Sequence, residues 1–585
     1  MADLYISPDT ATDAEIAAVD AALLDDQRAS VQEHERVVRG GTRRRHELRH
    51  LLLPALHALQ NEAGWISPGG LNHVCERLQV PPAEAYGVAT FYELFRTTDP
   101  GHAESITHVC MDGACQVAGA AALADDLEAA GTKVHRGPCL GQCERAPAVF
   151  IQGRSGPDSV PADETENSGA IPQQGDESLR LLKRIGVVDP TSLESYVAHG
   201  GYSALRAAIG MGHAELVQLV KDSGLSGRGG AAFPTGVKWG AVRDEVTKGR
   251  PAHVVANADE SEPGTFKDRI VMENDPFSLI EALTIASFAT GAANGWIYIR
   301  GEYPLATGRL ENAIAQARDA GWLGEGIAGT EHDFDIEVRR GAGAYICGEE
   351  TALFNSLEGF RGEPRNKPPF PTTHGLFGEP TAVNNPETLV NVLDLLDVGL
   401  EAYRATGTER SPGMKLFCLS GAVARPGLYE VPFGMTLAEL LEVAGGVDGE
   451  LQAILMGGAA GSFVDGAHLD MPLTLEDSRE RGTTLGSGVV KVFNTEADMN
   501  GVVLRIAEFF RNESCGQCVP CRVGVVRQHE ILQPLETGGT LAADRIELID
   551  EMALAMGDAS ICGLGHTASG AVQSAIRLGL VGGSA

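Results

Sequence analysis

No hydrophobic run in this 585-residue sequence is long enough to cross a bilayer. The longest, Leu51 to Leu59, is broken by His57 and reaches about half of the roughly 20 residues that a span needs. Basic residues are also scarce: 46 Lys and Arg face 79 Asp and Glu, for a net charge of −33. That balance excludes nucleic acid and anionic membrane surfaces as partners, because phosphate contacts need a basic footprint. The first residues, Met-Ala-Asp-Leu-Tyr, lack the basic flank and apolar core of a secretory signal, so a cytoplasmic, reducing location is expected. There the 11 cysteines are not disulfide partners, and their clustering points to metal. What remains is ordinary: a hydrophobic content of 43% and a length that implies about three or four domains.

The central stretch runs from Gly224 to Trp239, with Gly227, Gly229 and Gly230 leaving backbone free of Cβ atoms and Arg228, Lys238 and Phe233 offering charge and a ring. Its G-x-G-x-x-A pattern is not a Rossmann fingerprint, since the preceding Leu216 to Asp222 reads as a helix end rather than a strand. Taken alone, it is either a ligand loop or a surface turn. Two further segments follow. The strand His253 to Ala256 delivers Asn257, Asp259, Glu260 and Glu262 into a loop that suits either a flavin or a solvated turn. The strand Ile336 to Val338 runs into Gly341-Ala342-Gly343-Ala344-Tyr345-Ile346-Cys347-Gly348-Glu349-Glu350 and a helix to Leu357. A glycine turn between strand and helix aims N–H groups and the helix dipole at an anion.

Residues 1–40 read as a polar extension, and 41–152 as a helical bundle with a strand–helix–strand–strand unit. Pro54 is expected to kink the helix Glu47 to Gln60. In this block Cys110 and Cys115 are separated by four residues, and Cys139 and Cys143 by three. Zinc knuckles prefer a two-residue gap, so four thiolates on loops at strand ends suit a [2Fe–2S] cluster better than zinc. Residues 153–180 are a linker by composition. Residues 181–410 hold the glycine loops, 411–490 a strand-rich spacer, and 491–585 the run Cys515-x2-Cys518-x2-Cys521, with Cys562 as fourth ligand of a [4Fe–4S] cluster. Cys75 and Cys418 read as core, and Cys347, without cysteine neighbours, reads as no ligand.

Leu52 to Phe95, with Gly87-Val88-Ala89-Thr90-Phe91-Tyr92 and the two wider cysteine pairs, resembles the 24-kDa subunit of respiratory complex I. The glycine loops, Arg365 to Pro371 and Asn384-Asn385-Pro386-Glu387-Thr388 resemble its 51-kDa NADH-oxidising flavoprotein subunit. The resemblance implies a multidomain α/β chain: a helical bundle with a thioredoxin-like [2Fe–2S] domain, a Rossmann-like FMN/NAD domain, a ubiquitin-like β-grasp domain and a helical [4Fe–4S] domain. It implies FMN contacts at Gly227, Gly229, Gly230, Lys238, Asn257, Asp259, Tyr345, Gly348, Glu349, Asn384, Asn385 and Thr388. NAD contacts would be Phe233, Glu350, Lys367 and Phe370, with Glu349 also catalytic. Where the family often has an aromatic two places after the tryptophan, this chain has Ala241, so adenine stacking from that side is not implied.

The cofactor set of NAD, FMN, one [2Fe–2S] and one [4Fe–4S] cluster describes a diaphorase: flavin alone converts hydride into single electrons. The fused arrangement resembles the diaphorase subunits of soluble NAD-dependent formate dehydrogenases and NAD-reducing hydrogenases. A formate dehydrogenase catalytic subunit carrying further clusters is the expected partner, with a hydrogenase or complex I as alternatives. An iron–sulfur redox sensor without turnover is the reading of a different class. The [2Fe–2S] domain, tethered through 153–180, is expected to be separable from the flavin fold.

Overall fold

The computed structural model describes residues 7–24, 48–101, 105–154, 158–160 and 170–581. The expected extension 1–40 is described only in part, as a helix Asp13–Leu24, and residues 25–40 lie outside the described residues. Helices Leu52–Ala63, Pro68–Leu78 and Pro82–Ala89 follow, their apolar faces buried against one another. Pro54 falls in the first turn of a single helix that starts at Leu52, not in a helix interior. There its missing N–H has no partner to lose, so the expected kink has no cause.

Strands β1 (Ser105–Cys110), β2 (Val134–Gly137) and β3 (Val149–Gly153) form a sheet of order β2-β1-β3. β2 pairs parallel to β1, and β3 antiparallel to it. The cysteines lie at its ends: Cys110 closes β1, Cys115 lies in the short helix Gly113–Val117, and Cys139 and Cys143 follow β2.

The next domain is built on β4 (His253–Ala258), β5 (Asn294–Ile299), β6 (Asp335–Arg340) and β7 (Thr381–Asn384), all parallel in the order β6-β5-β4-β7. Strands buried on both faces read as continuous apolar runs, which is why Val254, Val255 and Ala256 adjoin without alternation. The helix Pro276–Thr290 is buried on every face, as its lack of a polar stripe requires. The chain leaves β4 toward β5 on one side and returns to β7 on the other. The sheet therefore has its switch point between β4 and β7, where the carboxyl ends of strands open a ligand crevice in such folds.

Strands β8 (Met414–Gly421), β9 (Gly427–Pro432), β10 (Leu451–Met456), β11 (Ser462–Val464) and β12 (Val489–Asn494) form a mixed sheet of order β11-β10-β12-β8-β9. A helix Leu437–Val443, opened by a Thr436–Glu439 capping box, packs on it. Residues 170–180, linker-like in composition, dock here: Leu428 N–H donates to the Ala170 carbonyl at 2.8 Å, and the Glu430 carboxylate accepts from the backbone of Arg180, Leu181 and Leu182. Helices Met499–Glu513, Val519–Leu532 and Ala543–Ala559 complete the chain.

The thioredoxin-like domain is not a pendant. Arg269 and Arg300 of the domain built on β4–β7 donate to the carbonyls of Gly141 and Cys139 at 2.9 and 2.7 Å, and Arg505 of the C-terminal domain holds Asp112 at 2.6 Å. Glu93 and Leu94 N–H groups donate to Gly343 and Ala342 of the glycine turn after β6. Separability from the flavin fold, suggested by the linker, meets a shared interface instead.

Candidate functional site

At the switch point the glycine loop lies over the ends of β4 and β7. Arg228 N–H donates to Thr388 Oγ1 at 2.8 Å, and a Cβ on Gly229 would come within 3.1 Å of Asn385 Cβ. Thr388 is thus buried beneath the loop, holding it in place. Asn385 caps the helix Pro386–Val398 through Glu387 N–H, accepts from Lys267 Nζ at 2.9 Å and donates to Asp268 at 2.6 Å. Arg228, expected to offer charge to a phosphate, turns away: it is buried, donates to the Pro412 carbonyl at 2.7 Å and stacks over Phe433. A guanidinium with that carbonyl and ring already in reach has reason to leave the loop's open side.

The cation that stays is Lys238. Its Nζ donates to the Val383 carbonyl at 2.7 Å and lies 3.8 Å from Glu350 and 5.8 Å from the Phe233 ring centre. Burial lowers its pKa, partly offset by Glu350. Trp239 Nε1 donates to Asn384 Oδ1 at 2.8 Å, which orients the amide at the end of β7. Across the crevice, Asn257 Nδ2 donates to the Gly348 carbonyl at 2.8 Å, tying the β4 loop to the β6 turn. Asp259 is buried and pushed up to about 7 by desolvation, with its Ser261 hydrogen bond and Arg300 opposing. A Cβ on Gly348 would lie 3.3 Å from its carboxylate.

Glu349 caps the helix Glu350–Leu357, accepting from Thr351 and Ala352 N–H, and its other oxygen meets Lys367 at 3.0 Å. Lys367 also binds Glu350 at 2.7 Å. Phe233 and Phe370 stand 51% and 59% exposed, large rings left at the surface of this charged cluster. The structure therefore brings Gly229 and Asn385 together with Thr388 beneath the loop, joins Lys238, Glu349, Glu350 and Lys367 in one charged cluster beside Phe233, and sets Asn257 and Asp259 against Gly348. A Cβ-free loop, a half-buried cation and amides at the switch point fit a flat, anionic ligand such as a flavin nucleotide.

Tyr345 links this crevice to the next site. Its hydroxyl donates to Glu262 at 2.6 Å, and its ring packs edge-on to Phe509 at 5.1 Å. The adjacent Ile346 lines a pocket together with Cys515, Cys518, Cys521 and Cys562. Four cysteines converging on one cavity fit a [4Fe–4S] cluster. Burial raises Cys521 to about 11 and Cys562 to about 12, with the Ser514 hydroxyl opposing at Cys521 and the Leu564 and Gly565 N–H groups at Cys562. A bound metal would reverse this by deprotonating the thiols.

The second cysteine group is fully buried. Cys139 and Cys143 sulfurs are 3.5 Å apart, and those of Cys110 and Cys139 lie within 4.8 Å of one another. Cys115 Sγ also accepts from Ala148 N–H at 3.4 Å. This compact, buried quartet fits a [2Fe–2S] cluster. Cys347 is pushed up to about 12 by burial, with Asp259 nearby, and belongs to neither group. The residues that sequence reasoning missed are the charges around the quartet: Arg269, Arg300, Lys491 and Arg505. Lone basic residues carry no local motif that would have singled them out.

Four family profiles match the chain. The Nuo51 FMN-binding domain covers residues 220–394, the thioredoxin-like [2Fe-2S] ferredoxin 41–166, the NADH-ubiquinone oxidoreductase-F iron-sulfur binding region 501–578, and the SLBB domain 416–454. The F 2 subunit of NADH-quinone oxidoreductase from Rhizobium meliloti (strain 1021) is 44% identical over 401 residues, or 68% of this chain and 94% of that protein. The HndC subunit of the NADP-reducing hydrogenase of Solidesulfovibrio fructosivorans is 44% identical over 397 residues, 67% of this chain and 80% of that one. A chain in the crystal structure of NAD+-reducing [NiFe]-hydrogenase in the air-oxidised state superposes with a TM-score of 0.76 at 32% identity, covering 92% of this chain and 93% of its own. FMN, NAD(H), a [2Fe–2S] and a [4Fe–4S] cluster are the groups these domains hold. The chain belongs to the family of the NADH-quinone oxidoreductase flavoprotein known as its F subunit, as an NAD-dependent flavin and iron–sulfur oxidoreductase fused behind a thioredoxin-like [2Fe–2S] domain.

Proposed function

We propose that this chain is the diaphorase subunit of a cytoplasmic formate dehydrogenase complex, exchanging electrons between NAD(H) and a cluster-bearing catalytic subunit. The observation that carries the diaphorase reading is the shared wall: the turn 341–349 borders the crevice through Gly348 and the Cys515–Cys518–Cys521–Cys562 cavity through Ile346. Flavin, when bound, takes electrons as a hydride pair and passes them singly to iron–sulfur clusters. The protein's own residues bind and orient. Gly227, Gly229 and Gly230 present bare backbone, Lys238 a half-buried positive charge, and Asn257, Asp259 and Asn384 polar groups at the strand ends. Asn385 and Thr388 hold the glycine loop. Tyr345, Gly348 and Glu349 line the opposite wall. Phe233 and Phe370 offer faces to a nicotinamide nucleotide, and Lys367 is placed for its phosphate. Glu350, if it accepts from ribose hydroxyls, would repel the extra phosphate of NADPH, so NAD is the preferred nucleotide.

Formate is one of the two second substrates that the fused domain order fits, the other being hydrogen. A hydrogenase partner is the second reading, favoured by the likeness over 92% of this chain to a chain of NAD+-reducing [NiFe]-hydrogenase. Isolating the chain with its native partners and assaying NAD+ reduction decides between them. Formate-driven reduction is expected; hydrogen-driven reduction without any from formate would replace the partner. The flavin core is tested apart from the partner, by bleaching of the flavin absorbance on adding NADH.

A further inference from the structure

We infer that Lys491, a residue of the ubiquitin-like domain, delivers a fixed positive charge to the cysteine quartet of the thioredoxin-like domain and raises the reduction potential of the [2Fe–2S] cluster held there. Lys491 stands in β12, paired with Leu455 of β10 on one side and Ser420 of β8 on the other, and is 2% exposed. Its side chain leaves its own domain. A Cβ on Gly113 would lie 2.6 Å from Lys491 Nζ and 3.0 Å from its Cδ, and one on Gly264 would lie 3.5 Å from its Cε. Gly113 opens the short helix Gly113–Val117, which follows Cys110 and carries Cys115, so the ammonium rests on the segment that holds two of the four ligands. Any side chain at position 113 would displace it.

The neighbouring cations are differently placed. Arg300 is held by Glu302, Arg269 by Glu144 and Glu273, and Arg505 by Asp112 and Glu508. Lys491 instead sets its Nζ against Gly113, with Asp112 and Arg505 lining the same pocket. A lysine ammonium there brings a compact positive charge to the turn at neutral pH. Reduction adds one electron, and hence one negative charge, to a cluster. A buried cation beside it stabilises the reduced form, more strongly in a low-dielectric interior than at a surface. Lysine, as a compact point charge, suits this role. The potential of the cluster then depends on how the ubiquitin-like domain is seated against the thioredoxin-like one.

The test is a mediator-controlled redox titration of the full, cluster-loaded chain, followed by electron paramagnetic resonance. Lys491→Met should lower the reduced-to-oxidised ratio of the [2Fe–2S] signal at a fixed potential by tenfold or more, about 59 mV for a one-electron couple. Lys491→Arg should keep the wild-type midpoint, and the [4Fe–4S] midpoint should stay unchanged in both. A Lys491→Met protein that holds the cluster at an unchanged or higher midpoint would overturn the inference. Should that variant fail to assemble the cluster, Gly113→Ala carries the test. A Cβ there would displace the Lys491 ammonium, so the midpoint should fall, and no fall would overturn the inference equally. The inference rests on the [2Fe–2S] assignment; a wild-type protein without that signal would overturn the assignment itself, a distinguishable result.

Discussion

At the scale of single residues, the glycine loop separates two reasons for having no side chain. Gly230 has φ +116, a conformation that other residues adopt only with strain, so the fold itself demands glycine there. Gly227 is different: a Cβ at that position meets only Phe233 and Ala232 backbone, no closer than 3.6 Å, which is ordinary contact. Its smoothness serves whatever lies against the loop. Gly227→Ala should therefore leave the melting temperature within a degree or two of wild type, since surface changes without strain or clash stay within about 0.5 kcal/mol. The flavin content of the purified protein should nevertheless fall several-fold. Full flavin occupancy in this variant would remove Gly227 from the binding surface.

Among the elements, the helix Pro386–Val398 carries the junction between the flavin and ubiquitin-like domains. Glu387, in its first turn and 0% exposed, accepts from Lys415 Nζ at 2.8 Å and Leu416 N–H at 2.9 Å, both on β8, and meets Lys267 at 3.1 Å. Burial opposes its ionisation, but Lys415 and Lys267 outweigh it and hold the carboxyl below the ordinary range. Breaking such a group from one side leaves buried charge without a partner, which costs roughly 3–5 kcal/mol. Glu387→Ala should show a loss of that order in denaturant unfolding followed through Trp239 and Trp296, both buried in the flavin domain. A loss below about 1 kcal/mol, the size of an exposed pair, would show that the two lysines relax to solvent.

Across the whole molecule, the N-terminal bundle is clamped onto the flavin domain at the very turn that forms the crevice. His57 Nε2 lies 3.0 Å from the Gly341 carbonyl, with its ring edge-on to Phe95. Burial, with the Arg340 charge nearby, lowers its pKa from 6.5 to about 3. Between those values the unfolded chain binds the proton and the folded one does not, so the fold loses stability as pH falls. The loss begins near 6.5 and grows by roughly 1.4 kcal/mol per pH unit down to about 3. Thermal unfolding between pH 7 and pH 4 should show the wild type losing stability more steeply than His57→Gln. Parallel slopes would place the acid sensitivity elsewhere, for instance at His108, which burial lowers to about 4.

The sequence by itself determined the parts whose chemistry is local. Cys515, Cys518 and Cys521 are brought together by a few residues of chain, and the turn after β6 announces itself because a strand, glycines and a helix start are adjacent along the backbone. Of the parallel sheet, β4 was legible from the apolar run at Val254 to Ala256 and β6 from Ile336 to Val338, whereas β5 and β7 were not read from the sequence. Tertiary structure decided what depends on distant segments meeting. Arg228 reads as a phosphate ligand until Pro412 and Phe433 are seen beside it, and residues 170–180 read as a free linker until β9 takes their hydrogen bonds. Lys491 reads as one charge in a strand, with nothing in its neighbours to mark it. Its partner turn lies far away along the chain, and electrostatic contact depends on distance in space, which no local pattern of residues encodes.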